Sequence, residues 1–187
     1  WSQLLDPAFE DNIAMAYPYT SGTAYTTYAT LIQMIGLEKT LDWWEEFDKH
    51  SIHQYTKSGT ACIAMVGIGE VAVGIAFSHD IMAKGINKGY PVVMTFPEEG
   101  TGYEVGGLSL IKGGPEPELA KQFIDWCYTK EAQDLFQKYN RLPVNPKATV
   151  KEGSVTLDQV KLIDYDHILA GQSKDEWVTA WRDRIGK

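Results

Sequence analysis

The chain has 187 residues, of which 44% are hydrophobic and 22% are charged, and its formal net charge is -8. This composition suits one sizeable hydrophobic core or two small lobes, and the negative charge disfavours binding to nucleic acid or to an anionic membrane surface. The sequence has no run of about 18 apolar residues, so no segment is predicted to span a membrane.

The first half of the sequence predicts alternating strands and helices. Strands are predicted over 12–17, 71–77 and 90–96. Helices are predicted over 23–35, 37–49, 59–69 and 78–88, and Ser58 and Ser78 begin the last two. Because the run VAVGIAF over 71–77 is almost continuously apolar, we expect this strand to be covered on both faces. The order of elements predicts a three-layer α/β fold with mainly parallel strands.

The pattern changes at Pro97, where the polar, glycine-bearing segment PEEGTG predicts a hinge. The elements predicted after it are a strand over 103–111, helices over 116–128, 130–139 and 173–185, and a loop over 140–146. One strand cannot form a sheet by itself. The second part therefore either shares the sheet of the first part or pairs with strands outside this chain.

Two Ser-Gly-Thr segments stand where helices are predicted to begin. They are Thr20, Ser21, Gly22 and Thr23 before the first helix, and Ser58, Gly59 and Thr60 at the third. A helix start offers unpaired amide groups and a partial positive charge, and neighbouring hydroxyl groups add donors for phosphate, carboxylate or sulfate. The alternative is two ordinary helix caps. Neither segment matches the Gly-x-x-x-x-Gly-Lys-Ser/Thr pattern, so nucleotide hydrolysis is not supported.

Polar residues also follow the third predicted strand and the hinge. His79 and Asp80 come directly after the buried strand, and Glu104 lies at the hinge with other acidic residues. These three side chains are candidates for hydrogen bonds to a ligand or, as an alternative, for a metal site. The other interpretations are a helix cap at Ser78, with Asp80 favourable to the helix dipole, and a solvated acidic loop at the hinge.

Two further interpretations concern serine and tryptophan side chains. A Ser-His-Asp hydrolase would use Ser21 or Ser58 with His79, but the sequence has no Gly-x-Ser-x-Gly elbow. The tryptophan pairs Trp43–Trp44 and Trp177–Trp181 are predicted to pack in the core rather than to form platforms for a sugar.

Several segments together resemble one family, the ferric-iron-type periplasmic binding proteins, which are type 2 solute-binding proteins of ABC importers. The segments are, in order, WSQLLDPAFEDNIAMAYP with TSGTAY, QYTKSGTA, VGIAFSHD, PEEGTGYEVGG, AKQFIDWCYTKEAQDLF and NRLPVNP. Family members are longer, and the resemblance implies that an N-terminal region forming most of the first lobe is missing here. It implies a complete α/β second lobe over 1–96, a hinge over 97–104 and the C-terminal part of the first lobe over 105–187.

The resemblance also implies a function and a site. Iron-binding members have adjacent tyrosines where this sequence has Ala76 and Phe77, which cannot ligate Fe(III). The chain instead resembles the branch that binds phosphorylated small molecules, such as sugar phosphates or phosphonates. In that branch Ser21, Gly22 and Thr23 would hold the phosphate with Ser58, Gly59 and Thr60 nearby. His79, Asp80 and Glu104 would bind hydroxyl groups or an amine; their use in an iron or other metal site is the alternative.

The family's partners and location follow from the same resemblance. It implies a small anionic solute and an ABC permease in the inner membrane as partners, no enzymatic activity and no cofactor. It implies a periplasmic or lipid-anchored extracytoplasmic location. If the chain stands alone, we expect the part after Pro97 to expose a sheet edge, which a homodimer formed by exchange of elements would cover.

Overall fold

A computed structural model describes residues 1–186 and contains a parallel sheet in the first half of the chain. Its strands are β1 (Ile13–Ala16), β2 (Ile52–Thr56) and β3 (Val73–Gly74). The order is β2-β1-β3, so β1 is central and Ile13 pairs with Ile52 on one side and Val73 on the other. Parallel strands need crossover connections, and helices provide both of them here.

The helices of the described residues follow the predicted order closely in the first half. They are α1 (Gly22–Ile35), α2 (Leu37–Glu46), α3 (Ala61–Gly67), α4 (Ser78–Lys84), α5 (Pro117–Cys127), α6 (Lys130–Asp134), α7 (His167–Gln172) and α8 (Lys174–Arg184). Gly36 separates α1 from α2 with a φ of 88°, a value that glycine adopts without strain. None of the helices within residues 1–186 is long and apolar enough to cross a membrane.

The central strand β1 is buried on both faces, which creates the layers of the fold. Ile13 and Met15 belong to a large cluster with apolar residues of α1, α2 and α8. Ala14 belongs to a second cluster with Cys62 and Ile63 of α3. Because neighbouring side chains of a strand point to opposite faces, helices cover the sheet from both sides. The predicted three-layer α/β fold is therefore confirmed.

The last helix returns to the core of the first half. Trp181 of α8 lies edge-on against Trp44 of α2, with ring centroids 6.4 Å apart, and Trp177 belongs to the same buried cluster. The prediction that these tryptophans form core rather than sugar platforms is confirmed. The division into 1–96, 97–104 and 105–187 stays a prediction, and the packing of α8 against the first segment is a contact that this division did not anticipate.

Several predicted elements are wrong. Within residues 1–186, the segments 90–96 and 103–111 form no strand, and only Thr101 makes an isolated parallel bridge, to Leu162. Both segments have strand-like sequences, but a strand exists only when a neighbour accepts and donates its backbone hydrogen bonds. Two elements, β2 and α7, were not predicted from the sequence.

The starts of two helices also need correction. The third helix begins at Ala61 with Thr60 as its N-cap, so Ser58 and Gly59 lie in the preceding loop. Ser78 is the first residue of α4, and Phe77 holds the N-cap position. Ser78 is therefore not the predicted capping residue.

Candidate functional site

Three of the predicted site segments follow the three strands of the sheet. Thr20–Thr23 comes after β1, Ser58–Thr60 directly after β2, and His79–Asp80 shortly after β3. Because all three strands are parallel, their carboxyl ends lie at one edge of the sheet. Ligands of open α/β sheets bind outside that edge. The topology therefore places all three segments at the edge where a ligand is expected.

The two Ser-Gly-Thr segments are in direct contact. A Cβ atom added to Gly59 would lie 2.4 Å from Ser21 Oγ and 2.7 Å from Thr23 Oγ1. These distances are shorter than any normal non-bonded contact, so only glycine fits at position 59 without a shift of its neighbours. The hydroxyl groups at the start of α1 thus lie against the loop that precedes α3.

The hydroxyl groups of the two segments are only partly used within the protein. Ser21 is the N-cap residue of α1, but its side chain makes no capping hydrogen bond within the described residues. Thr20 Oγ1 donates to the Tyr17 carbonyl over 3.3 Å, and Ser58 Oγ lies 3.2 Å from Thr60 Oγ1. The simple capping interpretation therefore fails for Ser21, whose hydroxyl group remains available at the start of a 14-residue helix.

Glu104, at the end of the segment predicted to be a hinge, reaches the start of α1. A Cβ atom added to Gly22 would lie 3.3 Å from Glu104 Oε2, so the carboxylate sits beside the first turn of the helix. A carboxylate at this end of a helix is favoured by the helix dipole. It also places an acceptor of hydrogen bonds next to the amide groups that could bind an anion.

A cleft of about 330 Å³ adjoins Gly22 and Glu104. Its other walls include Tyr103, Tyr165, His167 and Lys174, most of them contributed by the C-terminal segment. The His167 ring lies edge-on to Tyr103 and Tyr165, with centroids 4.8 and 4.9 Å away. Sequence reasoning missed the three C-terminal residues because no local motif marks them; only the return of this segment brings them to α1.

The walls of this cleft are fixed by contacts between distant parts of the chain. The Tyr25 hydroxyl group donates a hydrogen bond to the Ala170 carbonyl, and Lys174 Nζ lies 5.2 Å from the centre of the Tyr25 ring. Burial raises the pKa of Tyr165, and the charge of Glu104 adds to this rise. Tyr165 is therefore a neutral hydrogen-bonding group at physiological pH.

His79 and Asp80 form a polar pair at the start of α4. His79 Nε2 lies 3.3 Å from Asp80 Oδ2, and Lys84 Nζ lies 3.1 Å from Asp80 Oδ1. His79 Nε2 is nevertheless buried without a well-aligned hydrogen bond to any described residue. Burial raises the pKa of the Cys62 thiol to about 11, and the charge of Asp80 adds to the rise.

The pKa of His79 is lower than its ordinary value of 6.5, mainly because of burial and further because of the positive charge of Arg141. The unfolded chain therefore binds more protons than the folded chain below about pH 6.5, and stability falls as pH falls. When the pH is lowered from about 7.5 to about 5.5, we expect the unfolding free energy of His79→Gln to decrease less than that of the parent. Urea denaturation at both pH values measures this difference. Met82→Leu, on the same helix, is the control and should show the same dependence of stability on pH as the parent. If His79→Gln also showed the parent's dependence, the lowered pKa of His79 would be contradicted.

The metal alternative lacks its ligand cluster. Within residues 1–186, no group of three or more His, Cys, Asp or Glu side chains lies close enough to hold a metal ion. His79, Asp80 and Glu104 are therefore not assembled as a common coordination site. A metal site of three protein ligands requires donor atoms that converge within bonding distance of one point.

Residues 1–170 match the model of the family described as bacterial extracellular solute-binding protein. An uncharacterized protein of Haemophilus influenzae is 37% identical over 169 residues, which are 89% of this chain and 48% of that protein. This chain thus spans less than half the length of that curated relative.

Solved structures of periplasmic binding proteins are also similar to this chain. The periplasmic binding protein AfuA of Actinobacillus pleuropneumoniae, whose structure contains exogenous fructose-6-phosphate, is 37% identical with a TM-score of 0.92; the match covers all of this chain and 59% of AfuA. The periplasmic binding protein P5PA is 33% identical with a TM-score of 0.89, over 99% of this chain and 60% of P5PA. A Trichodesmium protein (IdiA, FutA) in complex with iron and citrate is 21% identical, which shows a shared fold alone. With this fold and this match, the chain belongs to the bacterial extracellular solute-binding protein family and has the α/β fold of the type 2 periplasmic binding proteins.

Proposed function

We propose that this chain is part of the solute-binding component of an ABC importer and that it binds a small organic phosphate or phosphonate, such as a sugar phosphate, without catalysing a reaction. The contact of Gly59 with Ser21 and Thr23 is the main observation in support, because it joins two groups of hydroxyl donors at the start of a long helix. The family match and the likeness to AfuA agree with this proposal.

The phosphate would bind at the joined Ser-Gly-Thr segments. The first amide groups of α1 have no partners within the helix, and Ser21 leaves its hydroxyl group free of a capping bond. Hydrogen bonds to a charged group are stronger than neutral ones, so a few such donors can hold an anion in a chain whose net charge is -8.

The rest of the ligand would contact the acidic and aromatic walls. Glu104 lies beside Gly22, and its carboxylate accepts hydrogen bonds from hydroxyl groups or an amine. We assign the same role to His79 and Asp80, which follow β3 at the same edge of the sheet. A carboxylate close to the anion site repels a ligand that is negatively charged throughout, so this arrangement favours a phosphate attached to a polar neutral group.

The proposed location and partner follow from the proposed function. A solute-binding component works outside the cytoplasmic membrane, in the periplasm or attached to the membrane by a lipid. It delivers its ligand to an ABC permease. The description of the family as extracellular supports this location.

Calorimetry with fructose-6-phosphate, inorganic phosphate and fructose tests the proposal. We expect heat with the two phosphates and none with fructose. Ser21→Asp should weaken phosphate binding by at least about a hundredfold, because two like charges about 4 Å apart repel by about 4 kcal/mol at an effective dielectric constant of about 20.

Thr179→Asp adds the same charge on the exposed side of α8 and is the matched control. It should leave phosphate binding nearly unchanged, since exposed charges far from the site are screened by solvent and salt. Binding of fructose as tight as that of fructose-6-phosphate would contradict the proposal. Uptake of Fe(III) without any binding of phosphate would do the same.

A further inference from the structure

The cleft beside the start of α1 is lined on one side by the C-terminal segment. This segment contributes Tyr165, His167 and Lys174 to the lining. The cleft also includes Gly22, the first residue of α1, where the Glu104 carboxylate lies. It therefore begins next to the amide groups that are proposed to bind the phosphate, and it reaches the residues of α7 and α8.

The cleft runs along the side of the first turn of α1. Tyr25 and Thr26 line it after Gly22. Because an α-helix rises about 1.5 Å per residue, the distance from Gly22 to Thr26 along the helix axis is about 6 Å. A ligand whose phosphate binds at the start of α1 can thus extend into the cleft with the atoms next to its phosphate.

Hydrogen bonds between distant segments hold the C-terminal wall of the cleft in place. Gln33 of α1 forms two hydrogen bonds with the backbone of Asp166, of 2.7 and 3.1 Å. The Asp166 carboxylate accepts hydrogen bonds from the amides of Ile168 and Leu169 and caps α7. His167 is the first residue of α7, so its backbone position is fixed before any ligand binds. Groups fixed in this way lose little entropy on binding.

The polar groups of His167 and Lys174 are free to bind a ligand. Within residues 1–186, the His167 nitrogen atoms make no hydrogen bond, and the ring contacts only the rings of Tyr103 and Tyr165. Lys174 Nζ forms no ion pair in the same part of the chain and lies 5.2 Å from the centre of the Tyr25 ring.

The cleft combines an acceptor of hydrogen bonds with donors. Glu104 only accepts when ionised, Lys174 only donates, and His167 can do either. A hydroxyl group both donates and accepts. The cleft therefore suits a group that carries several hydroxyls better than it suits an alkyl group.

We propose that His167 and Lys174 determine ligand specificity by forming hydrogen bonds with hydroxyl groups beyond the phosphate of the ligand. This assignment rests on the proposed function, because the phosphate bound at the start of α1 sets which part of the ligand enters the cleft. The positive charge of Lys174 also offsets the negative charge of Glu104 in the same cleft, which reduces the repulsion of an anionic ligand.

Calorimetry with fructose-6-phosphate and butyl phosphate tests this assignment, because both are phosphate monoesters and only the first has hydroxyl groups. The parent should bind fructose-6-phosphate at least about tenfold more tightly than butyl phosphate. His167→Phe and Lys174→Met should each weaken the binding of fructose-6-phosphate by about tenfold, through the loss of hydrogen bonds. They should change the affinity for butyl phosphate by less than about threefold.

The control variants make the same substitutions elsewhere. His50→Phe and Lys39→Met change exposed residues outside the cleft and should leave both affinities unchanged. His167 and Lys174 are exposed as well, so their substitution should preserve the fold. In the parent, the NMR signals of the His167 ring should shift when fructose-6-phosphate is added and stay in place with butyl phosphate.

Three results would overturn the assignment. The first is an equal loss of affinity for both probes in the two variants, which would point to the phosphate site or to the fold. The second is an unchanged affinity of both variants for fructose-6-phosphate. The third is a His167 ring whose NMR signals do not respond to that probe. A parent that binds neither probe would overturn the proposed function itself, and the assignment with it.

Discussion

Gly59→Ala should weaken phosphate binding by about a hundredfold or more. The added Cβ atom would lie 2.4 Å from Ser21 Oγ and 2.7 Å from Thr23 Oγ1, so either these hydroxyl groups must rotate away or the loop before α3 and the start of α1 must move apart. Both changes displace the hydroxyl groups from the proposed site. A hydrogen bond to a charged group contributes about 1.5–3 kcal/mol. Loss of two such bonds corresponds to at least about a hundredfold in the dissociation constant.

The measurement is calorimetry with inorganic phosphate and fructose-6-phosphate on parent and variant. Gly106→Ala is the matched control, since a Cβ atom there would meet nothing within 4 Å and the residue has no positive φ. It should keep the affinity of the parent. If Gly59→Ala bound phosphate as tightly as the parent does, the two Ser-Gly-Thr segments would not act as one site.

Trp181→Ala should reduce the free energy of unfolding by about 3–5 kcal/mol, as expected when a large aromatic side chain is removed from a core. Trp181 is fully buried and contacts rings from three other segments: Tyr17 after β1, Tyr55 of β2 and Trp44 of α2. Its loss would leave a cavity between α8 and the sheet. Because Tyr17 leads directly into the first Ser-Gly-Thr segment, phosphate binding should weaken as well.

Urea denaturation of parent and variant gives the change in unfolding free energy. Trp126→Ala is the matched control, because it makes the same substitution at a tryptophan that is 46% exposed on α5. It should change the free energy of unfolding by less than about 1 kcal/mol. A loss of less than about 1 kcal/mol in Trp181→Ala would mean that α8 is not required for the stability of the first half.

The site could be predicted from sequence only where local chemistry marks it. Ser21 and Gly22 at the start of α1 were predicted because hydroxyl groups and glycine before an apolar helical pattern indicate a helix start. Glu104 was predicted from its place at a polar hinge. Tyr165 and Lys174 have no such local mark, because their role in the cleft depends on contacts across more than 130 positions of sequence, such as that between Gln33 and Asp166.

Two strands were predicted wrongly and one strand, β2, was not predicted, and these errors have one physical cause. The segments 90–96 and 103–111 have strand-like patterns but lack partners within the described residues, while β2, which includes the polar residues His53 and Gln54, has a weak pattern and does form a ladder with β1. Strand formation depends on a neighbouring strand as much as on the residues themselves. Local sequence therefore predicts strand tendency, and pairing decides the outcome.

The sequence by itself determined the α/β class, the tryptophan core and the two hydroxyl-rich segments, because apolar periodicity and residue type are local properties. The strand predicted to be covered on both faces, 71–77, is instead the short edge strand β3, and the buried central strand is β1. Only the tertiary structure decided that Gly59 touches Ser21 and Thr23, that α8 returns to the sheet and that 105–111 has no partner strand within residues 1–186. These contacts join residues far apart in sequence, and their free energy depends on shape and burial that no local pattern contains.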